Sequence, residues 1–138
     1  MGGLVSVSRE RVKALVLPVL QRHEEIAGAY HFGSSLTLCR PDSDIDLALV
    51  VIASLPTPIQ EGILESVIGD LRPYNGHVFD VVLLNSLPSM IAFRVIKEGY
   101  LIYCSDGEAV ADLVERISQR YREDYPRYRA ALKDILGV

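Results

Sequence analysis

The chain has 138 residues, 49% of them hydrophobic and 23% charged, with a formal net charge of −4. A chain of this length can bury a core as one unit, so we expect a single domain over residues 1–138. The acidic balance and the lack of a basic run argue against direct binding of nucleic acid through its phosphates. Two cysteines make no disulfide framework, no secretory signal precedes the chain, and no apolar run approaches the ~20 residues that span a bilayer. We therefore expect a reduced, cytoplasmic protein without membrane contact.

Apolar residues recur with a helical period in four stretches and form apolar runs typical of buried strands in four others. In chain order the predicted elements are a helix at 8–23, strands at 25–32 and 44–52, a helix at 57–72, a strand at 77–84, a helix at 87–98, a strand at 100–104 and a helix from 106 onward. Pro18 is expected to kink the first helix, and Pro126 to kink or divide the last one. Strands separated by helices indicate an α/β or α+β fold with helices packed against a sheet.

Two acidic residues open the strand predicted at 44–52. Asp44 and Asp46 are separated by one residue, so on a strand both side chains point to the same face, with Cα atoms about 6.5–7 Å apart. Carboxylates at this separation can share divalent cations about 3.5–4 Å apart, which is the geometry of two-metal phosphoryl transfer. The pair is therefore a candidate metal clamp.

A third acid, Asp80, lies within the strand predicted at 77–84 and has apolar neighbours on both sides. An ionised carboxylate in such surroundings is costly unless it is paired or bound to a metal. If this strand lies beside the one that carries Asp44 and Asp46, the three acids form one cluster. Taken singly, each is more simply a turn cap, an exposed residue or an acceptor of backbone hydrogen bonds. Taken together, they favour a metal site.

Gly33 and Ser34 follow the strand predicted at 25–32 and precede Asp44 by about ten residues. The pair alone is weak evidence, because Gly-Ser is common in turns. At this position, however, backbone N–H groups and a hydroxyl can hold the β and γ phosphates of a nucleoside triphosphate. The stretch then combines a phosphate cradle with the metal clamp.

The sequence HFGSSLTLCRPDSDIDLALVV, residues 31–51, resembles the signature of the minimal nucleotidyltransferases, small members of the DNA polymerase beta-like superfamily. Their pattern is a Gly-Ser pair, a loop of about ten residues, Asp-x-Asp, and a third acid on a later strand. The residues that match it in order are Gly33, Ser34, Asp44, Asp46 and Asp80. The stretch IAFRVIKEGYLIYCSD, residues 91–106, is similar to the family's later helix, glycine and short strand. The resemblance thus covers nearly the whole chain.

The resemblance implies a mixed four-stranded sheet flanked by helices, the polymerase beta-like nucleotidyltransferase fold. It implies an enzyme that moves AMP from ATP to a hydroxyl, with Gly33 and Ser34 binding the nucleotide. Two Mg²⁺ ions would be held by Asp44 and Asp46, with Asp80 on the metal that activates the acceptor and available as general base. The loop after Ser34 departs from the family pattern. It is one residue short, has no Arg directly after the serine and lacks a second glycine.

The resemblance extends to antitoxins that pair with a HEPN-domain RNase toxin, where the implied reaction is AMP transfer onto a tyrosine of the toxin. The last helical segment, residues 115–138, is a candidate partner surface, because tyrosine and arginine are favoured at interface centres. Its tyrosines are Tyr121, Tyr125 and Tyr128. The simpler interpretation is a solvated helix whose tyrosines face its packing side. The sequence leaves open whether the chain forms a homo-oligomer.

Two other functions stay open. A non-catalytic antitoxin would neutralise its partner by stoichiometric contact, with the nucleotide site vestigial. An enzyme of the aminoglycoside-modifying kind would transfer a nucleotide to a small molecule. Among nearby residues, His31 and His77 are either ligands or, more simply, sheet residues whose hydrogen bonds are satisfied. Arg94 and Lys97 either reach phosphate or lie on a solvated helix face.

Overall fold

A computed structural model describes residues 3–137. Its helices and strands, in chain order, are α1 (Arg9–Leu20), β1 (Ile26–Phe32), β2 (Ile45–Val51), α2 (Thr57–Asp70), β3 (Phe79–Leu83), α3 (Ser89–Glu98), β4 (Tyr100–Cys104) and α4 (Gly107–Leu136). Short 3₁₀ turns follow β1 at Ser34–Leu36 and β3 at Leu84–Ser86. Every predicted helix and strand is present within a few residues of its expected bounds. Within the described range no helix is both long and apolar enough to cross a membrane.

The strands form one sheet in the order β3-β2-β1-β4. Strand β1 runs antiparallel to both of its neighbours, β2 and β4, whereas β2 and β3 run parallel. A parallel pair needs a crossover between its strands, and α2 supplies it. The prediction of a mixed four-stranded sheet flanked by helices is therefore confirmed, and the fold is α+β.

Helices cover both faces of the sheet, which explains why β2 reads as an almost unbroken apolar run. One core packs α1 and α2 against one face and includes Ile45, Leu47, Leu49 and Val51 of β2. The other core packs α3 and α4 against the opposite face and includes Ala48 and Val50. Because side chains alternate along a strand, the even-numbered residues of β2 face α3 and α4. This alternation decides which face of the sheet carries Asp46.

Helix α4 is continuous through Pro126, so of the two expected effects of this proline, a kink or a division, the division does not occur. A proline inside a helix removes one N–H and leaves the carbonyl four residues earlier without its usual donor. Here that carbonyl belongs to Arg122, an exposed residue, so water can take the missing donor's place. The first turns of the helix are held separately by the Asp106 cap and by core residues such as Leu113.

Helix α4 approaches strand β1 closely at Gly28. A Cβ atom at this position would lie 2.8 Å from Val110 Cγ2 and 3.0 Å from the backbone oxygen of Tyr103. Val110 is β-branched and Tyr103 O belongs to the neighbouring strand, so neither atom can move aside easily. The absent side chain of Gly28 is therefore what lets the helix lie on the sheet at this point.

We predict that Gly28→Ala lowers the free energy of unfolding by about 1–3 kcal/mol, because the added methyl group overpacks a filled contact. Urea-induced unfolding followed by circular dichroism measures the change. Gly62→Ala is the matched control, since Gly62 is exposed on helix α2, with no atom within 4 Å of the added carbon. The control should gain about 0.5–1 kcal/mol. A Gly28→Ala midpoint equal to that of the wild type would contradict the close contact.

Candidate active site

The predicted acids lie together at one edge of the sheet. Strands β2 and β3 pair in parallel with Asp46 directly opposite Asp80. Both residues belong to the face covered by α3 and α4, as the packing of Ala48 and Val82 on that face shows. Asp44 directly precedes β2, two residues before Asp46. Three carboxylates therefore converge on the end of the sheet where β2 and β3 begin.

Asp46 is half-buried, while Asp44 and Asp80 are exposed. Burial, together with the negative charges of Asp80 and Asp44, raises the pKa of Asp46 from 3.8 to about 6. A raised pKa means that the folded protein holds the ionised form of this carboxylate at a cost. The edge thus concentrates negative charge that is not compensated by the neighbouring side chains.

The donor set suits a hard divalent cation. Carboxylate oxygens are the ligands that Mg²⁺ prefers, and a cation would offset both the burial and the repulsion that raise the pKa of Asp46. As they stand, no three His, Cys, Asp or Glu side chains of residues 3–137 are close enough to form a metal site. The assignment of Asp44, Asp46 and Asp80 as metal ligands stays a prediction.

Gly33 joins the loop after β1 to the acidic edge. Its φ of +85° lies in the left-handed region, and a Cβ atom there would overlap Oδ2 of Asp46. Only glycine meets both conditions, so the Asp46 carboxylate lies directly against the loop backbone. The 3₁₀ turn begins at the next residue, Ser34, which is exposed. The first N–H groups of such a turn have no acceptor within it, so they are available to an anion beside Asp46.

A cavity of about 340 Å³ opens beside this turn. Its lining residues come from the end of β1, the turn and helix α3, and they are Phe32, Gly33, Leu36, Ile91, Arg94, Val95 and Glu98. Arg94 thus lines the same cavity as Gly33. A second cavity, bordered by the tyrosines of α4, is lined by both Arg94 and Lys97. Of these two basic residues, only Arg94 lines the cavity beside Gly33.

His31 lies on the other face of the sheet from the acids, because its neighbour Phe32 pairs with Asp46. It is fully buried, and its Nε2 forms a hydrogen bond of 2.7 Å with the hydroxyl of Ser35, inside the 3₁₀ turn. Burial, and to a lesser degree the positive charge of Arg9, lowers the pKa of His31 to about 4. The imidazole is therefore neutral at physiological pH and is not a ligand on the acidic edge.

His77 forms a hydrogen bond with the backbone of the residue that precedes Asp44. Its Nδ1–H donates to the carbonyl of Ser43 at 2.7 Å, which fixes the proton on Nδ1, since a carbonyl only accepts. The N–H of Ile45 donates to the carbonyl of Val78 at 2.8 Å directly beside it. Both histidines therefore position segments of the site, a role that the sequence analysis missed. The one sequence signal was their placement within three residues of Gly33 and Asp80.

Comparison with known proteins agrees with this geometry. Residues 16–108 match the family model described as polymerase beta, nucleotidyltransferase. The chain belongs to the polymerase beta nucleotidyltransferase family. The match includes all five predicted site residues, from Gly33 to Asp80, and confirms the predictions of a nucleotidyltransferase fold and of a nucleotidyltransferase enzyme. No curated protein matches the chain by sequence comparison.

Solved structures of the family share the fold across nearly the whole chain. The toxin–antitoxin complex MntA–HepT matches with a TM-score of 0.66 at 15% identity, covering 93% of this chain and 99% of that one. A tri-AMPylated HEPN toxin in complex with its MNT antitoxin, from Shewanella oneidensis, matches with a TM-score of 0.67 at 15% identity, covering 94% and 99%. A toxin–antitoxin structure with AMP-PNP matches with a TM-score of 0.67 at 16% identity, covering 90% and 98%. The resemblance to minimal nucleotidyltransferases is confirmed at the level of the fold.

We predict that His31 makes the protein lose stability in mild acid. The ring has a pKa of about 4 in the folded protein against 6.5 ordinarily, so its contribution is complete above pH 6.5 and is lost as the pH falls towards 4. Between neutral pH and about pH 5 the loss should be about 2 kcal/mol. Urea unfolding of wild type and His31→Gln at both pH values separates this loss from that of other groups. Equal losses in the two proteins would show that His31 does not titrate as expected.

Proposed function

We propose that the protein is a Mg²⁺-dependent nucleotidyltransferase that moves AMP from ATP to a tyrosine hydroxyl of a HEPN-type toxin, and so acts as an antitoxin. The observation that carries the proposal is the contact of the Gly33 backbone with Asp46, which lies opposite Asp80 in the sheet. It joins a turn able to bind phosphate to a carboxylate edge able to bind a divalent cation. Family membership supports the reaction class.

The residues have distinct parts in this reaction. Gly33 and Ser34 hold the β and γ phosphates through N–H groups and a hydroxyl. Asp44, Asp46 and Asp80 would hold two Mg²⁺ ions, which lower the pKa of the acceptor hydroxyl and stabilise charge on the leaving group. The acceptor oxygen forms a bond to the α-phosphorus, the bond from that phosphorus to the bridging oxygen breaks, and pyrophosphate leaves. Asp80, exposed at the edge, takes the proton of the acceptor.

Arg94 supplies the cation that the family pattern places directly after the serine. The arginine of this loop, Arg40, forms an ion pair with Asp42, whereas Arg94 lines the cavity that Gly33 also lines. A guanidinium forms strong bonds with phosphate oxygens because it offers several donors in one plane. We therefore place the end of the triphosphate in this cavity, with Arg94 on the β or γ phosphate.

The outer half of α4 is the proposed partner surface. Tyr121 stacks on Phe93 of α3 with ring centroids 3.9 Å apart, which anchors the helix to the body of the protein. Beyond Tyr121 the helix carries exposed apolar side chains three or four residues apart, namely Tyr125, Tyr128, Leu132 and Ile135. Such spacing makes one apolar stripe along the helix. An exposed stripe of this kind is suited to packing against another helix.

The solved relatives support this choice of partner. Structures with the same fold are complexes of an MNT antitoxin with a HEPN toxin, and in one of them the toxin is AMPylated. The shortened loop favours one rival, a stoichiometric antitoxin with a vestigial nucleotide site. Transfer to a small molecule, the other rival, would leave the stripe on α4 without a role.

We predict that Asp44→Asn and Asp46→Asn each reduce AMP transfer at least about 100-fold, because each removes a carboxylate from the metal clamp. The assay measures radiolabel from ATP labelled on the α-phosphate, incorporated into a HEPN-type protein encoded beside this chain or co-purifying with it. Asp42→Asn is the matched control, since Asp42 lies exposed in the same loop and forms an ion pair with Arg40. This control should label the partner at the wild-type rate.

The same assay separates the rivals. Equal labelling by wild type and both aspartate variants would show that the catalytic assignment is wrong. If the wild type labels nothing yet still blocks the toxin, the protein acts by stoichiometric contact. Labelling of a hydroxyl-bearing small molecule and not of the HEPN protein would favour the third function.

We predict that Arg94→Gln weakens ATP binding about tenfold and leaves AMP binding unchanged, because the lost charged hydrogen bond serves the β or γ phosphate. Calorimetric titration of both nucleotides with Mg²⁺ measures this ratio. Lys97→Gln is the control, since it removes the same charge one turn further along the helix, at a residue that does not line the Gly33 cavity. Equal weakening of ATP and AMP binding would contradict this placement of the triphosphate.

A further inference from the structure

Two polar side chains are buried together behind the phosphate loop. His31 is 0% exposed and Ser35 is 1% exposed, and the His31 ring and the Ser35 hydroxyl are joined by the 2.7 Å hydrogen bond. His31 lies two residues before Gly33, and Ser35 directly follows Ser34. The bond therefore spans the two residues proposed to hold the nucleotide.

The His31 end of this bond is rigid. Its backbone lies in β1, between β2 and β4, and pairs with Leu47 on one side and Tyr100 on the other. A strand with partners on both sides is among the least mobile parts of a protein. The Ser35 end lies in a three-residue 3₁₀ turn, which is a weak structure by itself. The hydrogen bond thus ties a weak turn to the centre of the sheet.

The stability of the fold alone does not explain why position 31 is a histidine. Its Nδ1 is buried and has no partner among the described residues. A buried polar atom without a partner costs free energy, whereas an apolar side chain at position 31 would avoid that cost. The ring is also neutral at physiological pH, since burial and Arg9 lower its pKa to about 4, so it gains nothing from an ion pair. What the ring provides is one directed bond to Ser35.

We propose that His31 is a positioning residue for the nucleotide, which acts through Ser35 to hold the turn in the shape that presents Gly33 and Ser34 to the triphosphate. This inference rests on the proposed function. The left-handed Gly33 aims the turn at Asp46, and the His31–Ser35 bond keeps the following residues from relaxing into other loop conformations. Ordering the loop before ATP arrives lowers the entropy that binding would otherwise lose.

The test is the kinetics of Ser35→Ala, which deletes one oxygen atom and little volume. We expect the KM for ATP to rise about tenfold while kcat at saturating ATP stays within about twofold, as loss of uniform binding predicts. His31→Leu should have the same effect, and the double variant should be no worse than either single one, because both remove the same bond. His31→Gln keeps an amide group that can donate to or accept from the Ser35 hydroxyl near the position of Nε2, and it should restore most of the affinity.

Ser105→Ala is the matched control for stability. The Ser105 hydroxyl donates to the carbonyl of Ile26 at 2.7 Å, so it forms a bond of the same length at the opposite end of β1. Its loss should lower the unfolding free energy by a similar amount and leave the KM for ATP unchanged. If Ser35→Ala and His31→Leu behave as Ser105→Ala does, the bond is only structural and the inference is wrong.

Hydrogen exchange separates this inference from the function on which it rests. Ser35→Ala should speed amide exchange over residues 33–37 without ATP, and unchanged exchange there would overturn the anchoring role. Calorimetric titration of ATP and Mg²⁺ into the wild type is measured in parallel. If the wild type binds no ATP while the loop exchanges faster in the variant, the proposed nucleotide site fails and the anchoring of the turn stands.

Discussion

The approach of the Asp46 carboxylate to the backbone of Gly33 is the contact on which the candidate site depends. It requires a glycine with positive φ at the end of β1 and an acid at the even-numbered position of β2 that pairs with Phe32. The pairing register is set by apolar side chains on both faces of the sheet, not by the acids themselves. A slip of one residue in β2 would turn Asp46 towards α1 and α2 and separate it from Asp80. The core thus fixes the geometry of the site, although the like charges of its carboxylates repel one another.

Two regions of the protein are left incomplete in different physical ways. The acidic edge has negative charge without compensation, and the half-buried Asp46 bears the cost. The outer half of α4 has an apolar stripe without a covering element, and in water a helix of that length gains little stability from its own hydrogen bonds. The negative charge of the acidic edge favours binding of a cation together with a nucleotide, whereas the apolar stripe of α4 favours binding of a protein. A protein AMP transferase needs both, and this pairing distinguishes the proposed function from transfer to a small molecule.

The parts of the fold that sequence patterns predicted are those set by local periodicity. The bounds of β4 agree to the residue, and β2 differs by one residue at each end, because apolar runs and flanking turn residues decide them. The pairing of Asp44 with Asp46 was predicted for a similar reason, since residues two apart share a face on any strand, although Asp44 lies one residue before β2. Their role as metal ligands stays a prediction. The division considered at Pro126 does not occur, because an exposed carbonyl tolerates the loss of its donor. The role of His31 was missed because it depends on a contact with Ser35 on the opposite face from the acids, which no sequence period reveals.

The shortened loop is compatible with nucleotide binding if its functions are taken over by residues outside it. A loop with its own arginine and a second glycine carries both the cation and the flexibility to wrap around phosphate. In our proposal Arg94 on α3 provides the cation, since Arg40 of the loop forms an ion pair with Asp42. The shape is set by one left-handed glycine and by a turn tied to β1 through His31 and Ser35. A short, anchored loop loses less entropy on binding than a long, flexible one, which offsets the contacts it cannot make. The departure from the family pattern is therefore better explained as a change in where the binding groups lie than as the decay of the site.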